Sequence, residues 1–360
     1  MARHKASRVG EPVCSKGMAI PFTFWPENYI KNGSFVASNC WQFLINYIDS
    51  MKGDKTKQLR ARAYTEQSFQ LFLSSKEASV QAKPLMLYYS YLNLAKAFLA
   101  FRRGPSNGGE IHGLKLDTPP SRYRGLKSIK FRVVSPRTRG TSSIFHNLMT
   151  EINFSPLEED KPIELSNMIE QIVGLHDYLV ATSNIPRVFF PVKLSFMRNK
   201  ERKTVWIRGE IEKAGCTKAH IKTIIGFFER SSSLCCVYDK ETKGKIVFES
   251  AEEANYISSP IRPLREKLIV PIRRNIFSEQ TPNGFQYYLC CRDDFTGQII
   301  SHFAVMFVLG SLVRYYPEVF AKMQKEWLVH EYLTTQPIQY AYLLGSGMIR
   351  NEIVPLQVHG

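Results

Sequence analysis

Two stretches of this chain leave it little freedom. Leu85–Phe101 and Ile299–Val313 are apolar almost all the way round a helix. A helix of that kind has to be buried, either in a protein core or in a membrane. Neither stretch supplies the ~20 consecutive apolar residues of a bilayer span. The first is interrupted by Asn93 and Lys96; the second is 15 residues long and holds Ser301, His302 and Ser311. Both read as core helices of a soluble protein, contributed by opposite ends of the chain. The charged N-terminus is followed by no apolar run, so no signal peptide and no membrane partner are expected, and the cytoplasm is the expected location.

The remaining pattern surrounds those helices with a sheet. Ser38–Met51 and Lys57–Leu73 have helical periodicity, the latter with Leu59, Ala63, Phe69 and Phe72 inward; Pro84–Arg103 follows and stops at Gly104-Pro105. Ile129–Val134 is read as a strand, and Thr141–Ile152 and Glu164–Ala181 as helices. The period then changes. Arg187–Met197 and Lys203–Ile211 alternate as strands do. Thr217–Phe228 is read as a helix, and Lys245–Phe248, Lys267–Ile272 and Phe285–Cys291 as short strands. Helices return at Gly297–Tyr316, Phe320–Leu333 and Ile338–Ile349. The fold class is α+β: a helical layer from both chain ends around a central mixed or antiparallel sheet. The expected division is a mobile arm over 1–17, a helical region over 18–120, an α+β region with a basic segment over 121–296, and a helical region over 297–360 that packs on the first helices.

Charge points to polyanions. Among 360 residues, 48 Lys and Arg oppose 32 Asp and Glu, a net +16. Residues 101–140 hold ten basic residues against only Glu110 and Asp117, which is +8 of that total. Nine of the ten are the candidate nucleic-acid contacts: Arg102, Arg103, Arg122, Arg124, Lys127, Lys130, Arg132, Arg137 and Arg139. Lys115 is the tenth. Spaced cations suit a phosphate backbone, and Tyr123 and Phe131 among them suit unpaired bases. The plainer explanation is a solvated basic loop guarding an edge strand. The leading expectation is a protein that contacts the RNA or DNA backbone.

A second pattern lies on the apolar helices. Tyr89, Asn93, Lys96 and Arg103 fall at helical offsets that place them roughly on one face. A polar stripe on a buried helix needs partners. Tyr89, Asn93 and Lys96 would face His302 or Arg314 across the helix interface, with either Glu318 or another acid as the counter-charge or an empty anion site awaiting phosphate. His112, in the Gly-rich loop that follows, is the candidate general acid or base. That loop lacks the Gly-Lys-Ser/Thr ending of a phosphate-cradling Walker sequence. Asp239-Lys240-Glu241-Thr242-Lys243 reads as a charged turn rather than a metal-dependent nuclease motif. Seven cysteines without a paired C-x-x-C spacing indicate a reduced compartment and no zinc site; no metal or cofactor is expected.

Two regions resemble a known family. Lys83-Pro84-Leu85-Met86-Leu87-Tyr88-Tyr89, Asn93-Leu94-Ala95-Lys96-Ala97 and His112-Gly113-Leu114 resemble the N-terminal signature of bacterial YaaC-like proteins. His302-Phe303 and Leu312-Val313-Arg314-Tyr315-Tyr316-Pro317-Glu318 resemble that family's C-terminal helix end. The resemblance implies a prokaryotic cytoplasmic protein and specifies no reaction. The Tyr-Tyr helix leading into a His-Gly loop also resembles HEPN-like domains, as does the Arg139-x6-His146 spacing. That likeness implies a subunit of an antiviral defence or toxin-like system, with other subunits as partners. The alternatives are a metal-independent ribonuclease using His112 or His146, a protein-interaction scaffold, and a binder of small anionic ligands.

Overall fold

A computed structural model describes residues 5–104, 108–119, 123–138, 140–152, 157–183, 185–238, 244–281 and 283–356. Within it the chain forms two units, each assembled from separated segments. One comprises Met1–Phe35, Val180–Phe295 and Arg350–Glu352; the other comprises Val36–Leu179, Thr296–Ile349 and Ile353–Gly360.

The first unit is built on a mainly antiparallel sheet, nine strands among the described residues. Its spine runs Lys5–Ala6, Leu234–Tyr238, Lys245–Ser250, Thr204–Glu212, Phe189–Asn199, Gly284–Cys290 and Ile276–Thr281. Two short strands, Glu11–Pro12 and Ala254–Asn255, pair alongside. Residues 5–15, expected as an arm, thus contribute strands. The Lys218–Arg230 helix starts at a reciprocal cap between Thr217 and His220. It packs Ile224, Phe227 and Phe228 into a core with Phe196, Ile207, Phe248 and Leu289. Lys267–Ile272, read as a strand, is helical. Its β-branched run misled; Leu264, Leu268 and Ile272 are buried at spacings of four, which is a helical face.

The second unit holds the two constraining helices. Lys83–Arg103 begins with Pro84 in its first turn and stops at Gly104. Gln298–Tyr315 begins after Gly297 and ends before Pro317, and almost all of it is buried. By length and composition this helix meets the requirement for crossing a membrane, yet 78% of it is buried inside the protein. Gly310 explains how closely the two helices cross: a Cβ there would lie 2.8 Å from the Cβ of Tyr88.

The Lys55–Glu77 helix packs on the Lys83 helix through a different face from the one expected. Leu59 and Ala63 are exposed, and the buried positions are Ala61, Thr65, Ser68 and Ser75. Small side chains let the two backbones approach, and hydroxyls close the contact. Ser68 donates to the carbonyl of Ser90 at 2.8 Å, and Ser90 donates to that of Ser68 at 2.8 Å. The indole of Trp41 donates to Ser68 Oγ at 2.9 Å. The Trp327–Ile349 helix runs through Pro337, where a break was expected; its buried Leu333, Gln336, Tyr340 and Ala341 outweigh the lost backbone bond. A small antiparallel sheet of Leu114–Leu116, Lys130–Val133 and Ile163–Glu164 completes the unit.

Candidate functional site

The Lys83 and Gln298 helices present matching stripes to one another. Leu85, Tyr88, Tyr89 and Leu92 on the first, and Phe307, Gly310, Ser311 and Arg314 on the second, both follow the i, i+3, i+4, i+7 spacing of one helical face. With His112, the Leu114–Leu116 strand, Tyr315 and Tyr316 they enclose a cavity of about 570 Å³. That is within the range of small-molecule sites.

The lining contains no Asp or Glu. Arg314 and Lys115 are its cations, both exposed, and neither has a carboxylate partner among the described residues. Glu318, the expected counter-charge, forms no ion pair with Arg314. The guanidinium is positioned instead by Tyr89, whose hydroxyl accepts from Nη1 at 3.3 Å, and by the Tyr315 ring at 5.1 Å. Arg314 lies in the last turn of its helix, where the helix dipole favours positive charge. Ser311, one turn earlier, has a hydroxyl with no partner among the described residues.

His112 is held by its backbone. Ile111 pairs with Ser143, and the His112 carbonyl accepts from Phe145 at 3.2 Å. The next residue must be glycine. Gly113 has a left-handed φ of 84°, and a Cβ there would sit 1.9 Å from Ser143 Oγ. The Leu114 N–H donates to His112 Nδ1 at 3.2 Å, which leaves the neutral ring's proton on Nε2. Burial against Phe307, at 4.9 Å between ring centroids, pushes the imidazole pKa below its ordinary value. His112 therefore offers the cavity a neutral N–H donor.

The sequence reading is corrected at two positions. Lys96 is not part of this cavity: its ammonium lies 3.4 Å from Glu110 and 5.4 Å from the Tyr64 ring centroid. Asn93 is buried within the helix packing and does not line the cavity. Tyr89, His112 and Arg314 do converge. Lys115, Ser311 and Phe307 were missed, although the spacing of 307, 310, 311 and 314 was visible.

This geometry lies inside the region that settles the chain's relationships: the family model of YaaC-like proteins matches residues 27–348. The chain belongs to the YaaC-like family. No curated protein and no solved structure matches it. The family match takes in every residue lining the cavity.

In this YaaC-like protein much of the basic segment is already neutralised. Arg102 and Arg103 share Glu151, at 3.1 and 2.8 Å. Arg132 binds both oxygens of Asp117, at 2.8 and 2.9 Å. Lys130 lies 3.6 Å from Glu164. Arg124, Lys127 and Arg137 have no acidic partner among the described residues. Arg122, Arg139 and the 239–243 turn lie outside the described residues. Neither aromatic is free to stack on bases: Phe131 is buried in the small sheet, and Tyr123 is half-buried with its hydroxyl donating to Glu326.

His146 contacts Ser143 Oγ at 2.8 Å through Nδ1 and lies 3.2 Å from Glu159 through Nε2. The Glu159 contact is close enough for an ion pair, but its angles do not make a hydrogen bond. The order Ser–His–Glu imitates a nucleophilic triad. Ser143 is nevertheless buried, and its Oγ caps the Ile144–Glu151 helix by accepting from the His146 N–H. The arrangement is a structural cap. All seven cysteines are free thiols; burial pushes Cys290 up to about 12.

The sheet unit has a cavity of its own, about 760 Å³. It carries both signs of charge, and Lys193 stands directly opposite Glu210 across two strands, so it offers an ionic ligand less preference.

Proposed function

We propose that this protein is a receptor for a small anionic ligand, held in the cavity between the Lys83 and Gln298 helices. One observation carries the reading: a cavity of ligand size is lined by two exposed cations that have no carboxylate partner among the described residues, and by no Asp or Glu. Arg314, Lys115 and the His112 Nε2–H supply donors to it. A bound anion would supply the charge and the acceptors that the protein withholds.

Thermal-shift and calorimetric titration of the purified protein against phosphate, nucleotides and dicarboxylates tests it. At least one class should stabilise the protein, and Arg314→Ala should lower its affinity about tenfold or more, the usual worth of one charged hydrogen bond. No binding from any class, or binding indifferent to Arg314, removes the proposal.

Nucleic-acid binding is the second reading, supported by Arg124, Lys127 and Arg137, which have no acidic partner among the described residues. Three phosphate contacts give a log–log salt slope of about −2 on single strands. Reversing the three to Glu should abolish that slope. Incubation with RNA in chelator tests the ribonuclease alternative, in which His112 would act as acid or base; intact RNA after incubation eliminates it.

A further inference from the structure

The cavity is graded from charge to ring. Arg314 stands exposed at one end, in the last turn of its helix, and Lys115 is exposed on the lining strand. Phe307, on the same helix face as Arg314 but seven residues earlier, is nearly buried beside Tyr88 and Leu114. Seven residues of helix span about 10 Å. A ligand that fills this length carries its anion at one end and an apolar body at the other.

From this gradient we infer that the ligand is a nucleoside monophosphate, with its phosphate at Arg314, Lys115 and Ser311 and its base beside Phe307 and His112. The inference rests on the anion-receptor reading and narrows it. A phosphate monoester carries nearly two negative charges at neutral pH, which matches one guanidinium and one ammonium. A monocarboxylate would leave one cation uncompensated. A dicarboxylate would meet the charge but bury little surface at the apolar end, where a base brings a ring to bury.

His112 decides between a heterocycle and a plain hydrocarbon. Its Nε2–H has no acceptor among the described residues, and burial already keeps the ring neutral. A hydrocarbon seated there would bury that donor unpaired, which is unfavourable. A ring carbonyl or ring nitrogen would accept from it. A free nucleotide and the 5′-phosphate end of an oligonucleotide share this chemistry. The cavity's ligand-sized volume favours the free nucleotide.

Calorimetric titration of the full-length protein separates these cases. The probes are the four common nucleoside monophosphates, their nucleosides, inorganic phosphate, succinate, and a tetranucleotide with and without a 5′-phosphate. At least one monophosphate should bind about tenfold or more tightly than both its nucleoside and inorganic phosphate. Lys115→Ala should weaken that monophosphate and inorganic phosphate alike. His112→Ala should weaken the monophosphate and leave inorganic phosphate unchanged. Lys115 is exposed, so its variant keeps the test open should the His112 variant misfold. Succinate bound through Arg314 with no response to monophosphates would overturn the nucleotide assignment while leaving the anion receptor standing. A 5′-phosphorylated tetranucleotide that outcompetes every monophosphate would overturn the free nucleotide in favour of a nucleic-acid end. No Arg314-dependent binding by any probe would overturn both.

Discussion

At the scale of single residues, the site depends on backbone positions that the sequence marks only faintly. Gly113 is one. Alanine there meets the left-handed φ, worth about 1–2 kcal/mol, and also strikes Ser143 Oγ. Gly125 has a similar φ of 89° and open space around it. Gly113→Ala should therefore lower the melting temperature clearly more than Gly125→Ala; equal drops would mean that Ser143 moves aside freely. His302 is another. It is wholly buried, burial pushes its pKa down to about 3, and Tyr332 donates to its carbonyl at 3.0 Å. Below the ordinary value near 6.5 the unfolded chain binds a proton that the folded protein refuses. Stability should thus fall as pH drops from about 6.5 towards 3, with a slope approaching ~1.4 kcal/mol per pH unit from this group. Urea unfolding at pH 7 and pH 5 should show a smaller loss in His302→Gln than in the natural protein. The residues of the site were partly legible. Tyr89, His112 and Arg314 announced themselves as polar groups on or beside apolar helices. Lys96 gave the same signal and went elsewhere, because Glu110 is closer to hand.

At the scale of elements, periodicity located the helices but did not always orient them. The Lys55 helix shows why. Its large apolar residues suggested one buried face, yet close backbone approach to the Lys83 helix selects the small-residue face, a property of the pair that neither sequence shows alone. The reading has a direct check. Ser68→Leu should destabilise by about 1–3 kcal/mol through overpacking, whereas Leu59→Ala should stay within about 0.5 kcal/mol of the natural protein. The opposite order in chemical denaturation would restore the face with Leu59 inward. Strand alternation was clear in Phe189–Asn199 and Thr204–Glu212, which are long. Ile276–Thr281 and Leu234–Tyr238 are short and were passed over. The apolar run of 267–272 failed differently, since six residues rich in β-branched side chains look alike in a strand and a buried helix.

At the scale of the whole molecule, each unit has its own core, and the proposed site belongs to one of them. A ligand that binds the folded state stabilises the region that holds it. Hydrogen exchange under saturating ligand should slow in Lys83–Arg103, in residues 112–116 and in Gln298–Tyr315, and stay unchanged in Phe189–Asn199. Protection confined to the sheet strands would move the site to the other cavity. The α+β class and the joining of the chain's two helical ends were legible because both apolar helices demanded burial. The grouping of residues 121–179 with those helices was not, since contacts between segments so distant leave no local pattern.

The joining of the two helical ends has a consequence for how the protein is made. Synthesis runs from the N-terminus, and the Lys83 helix leaves the ribosome roughly 200 residues before the Gln298 helix begins. At about 5–20 residues per second the interval is roughly 10–40 s. During that time Tyr88 lacks Phe307 of the Gln298 helix, and Tyr91 lacks Tyr340 of the Trp327 helix. The nascent chain therefore carries an open apolar groove for most of its elongation, and it becomes able to hold a ligand only after Arg314 has been added.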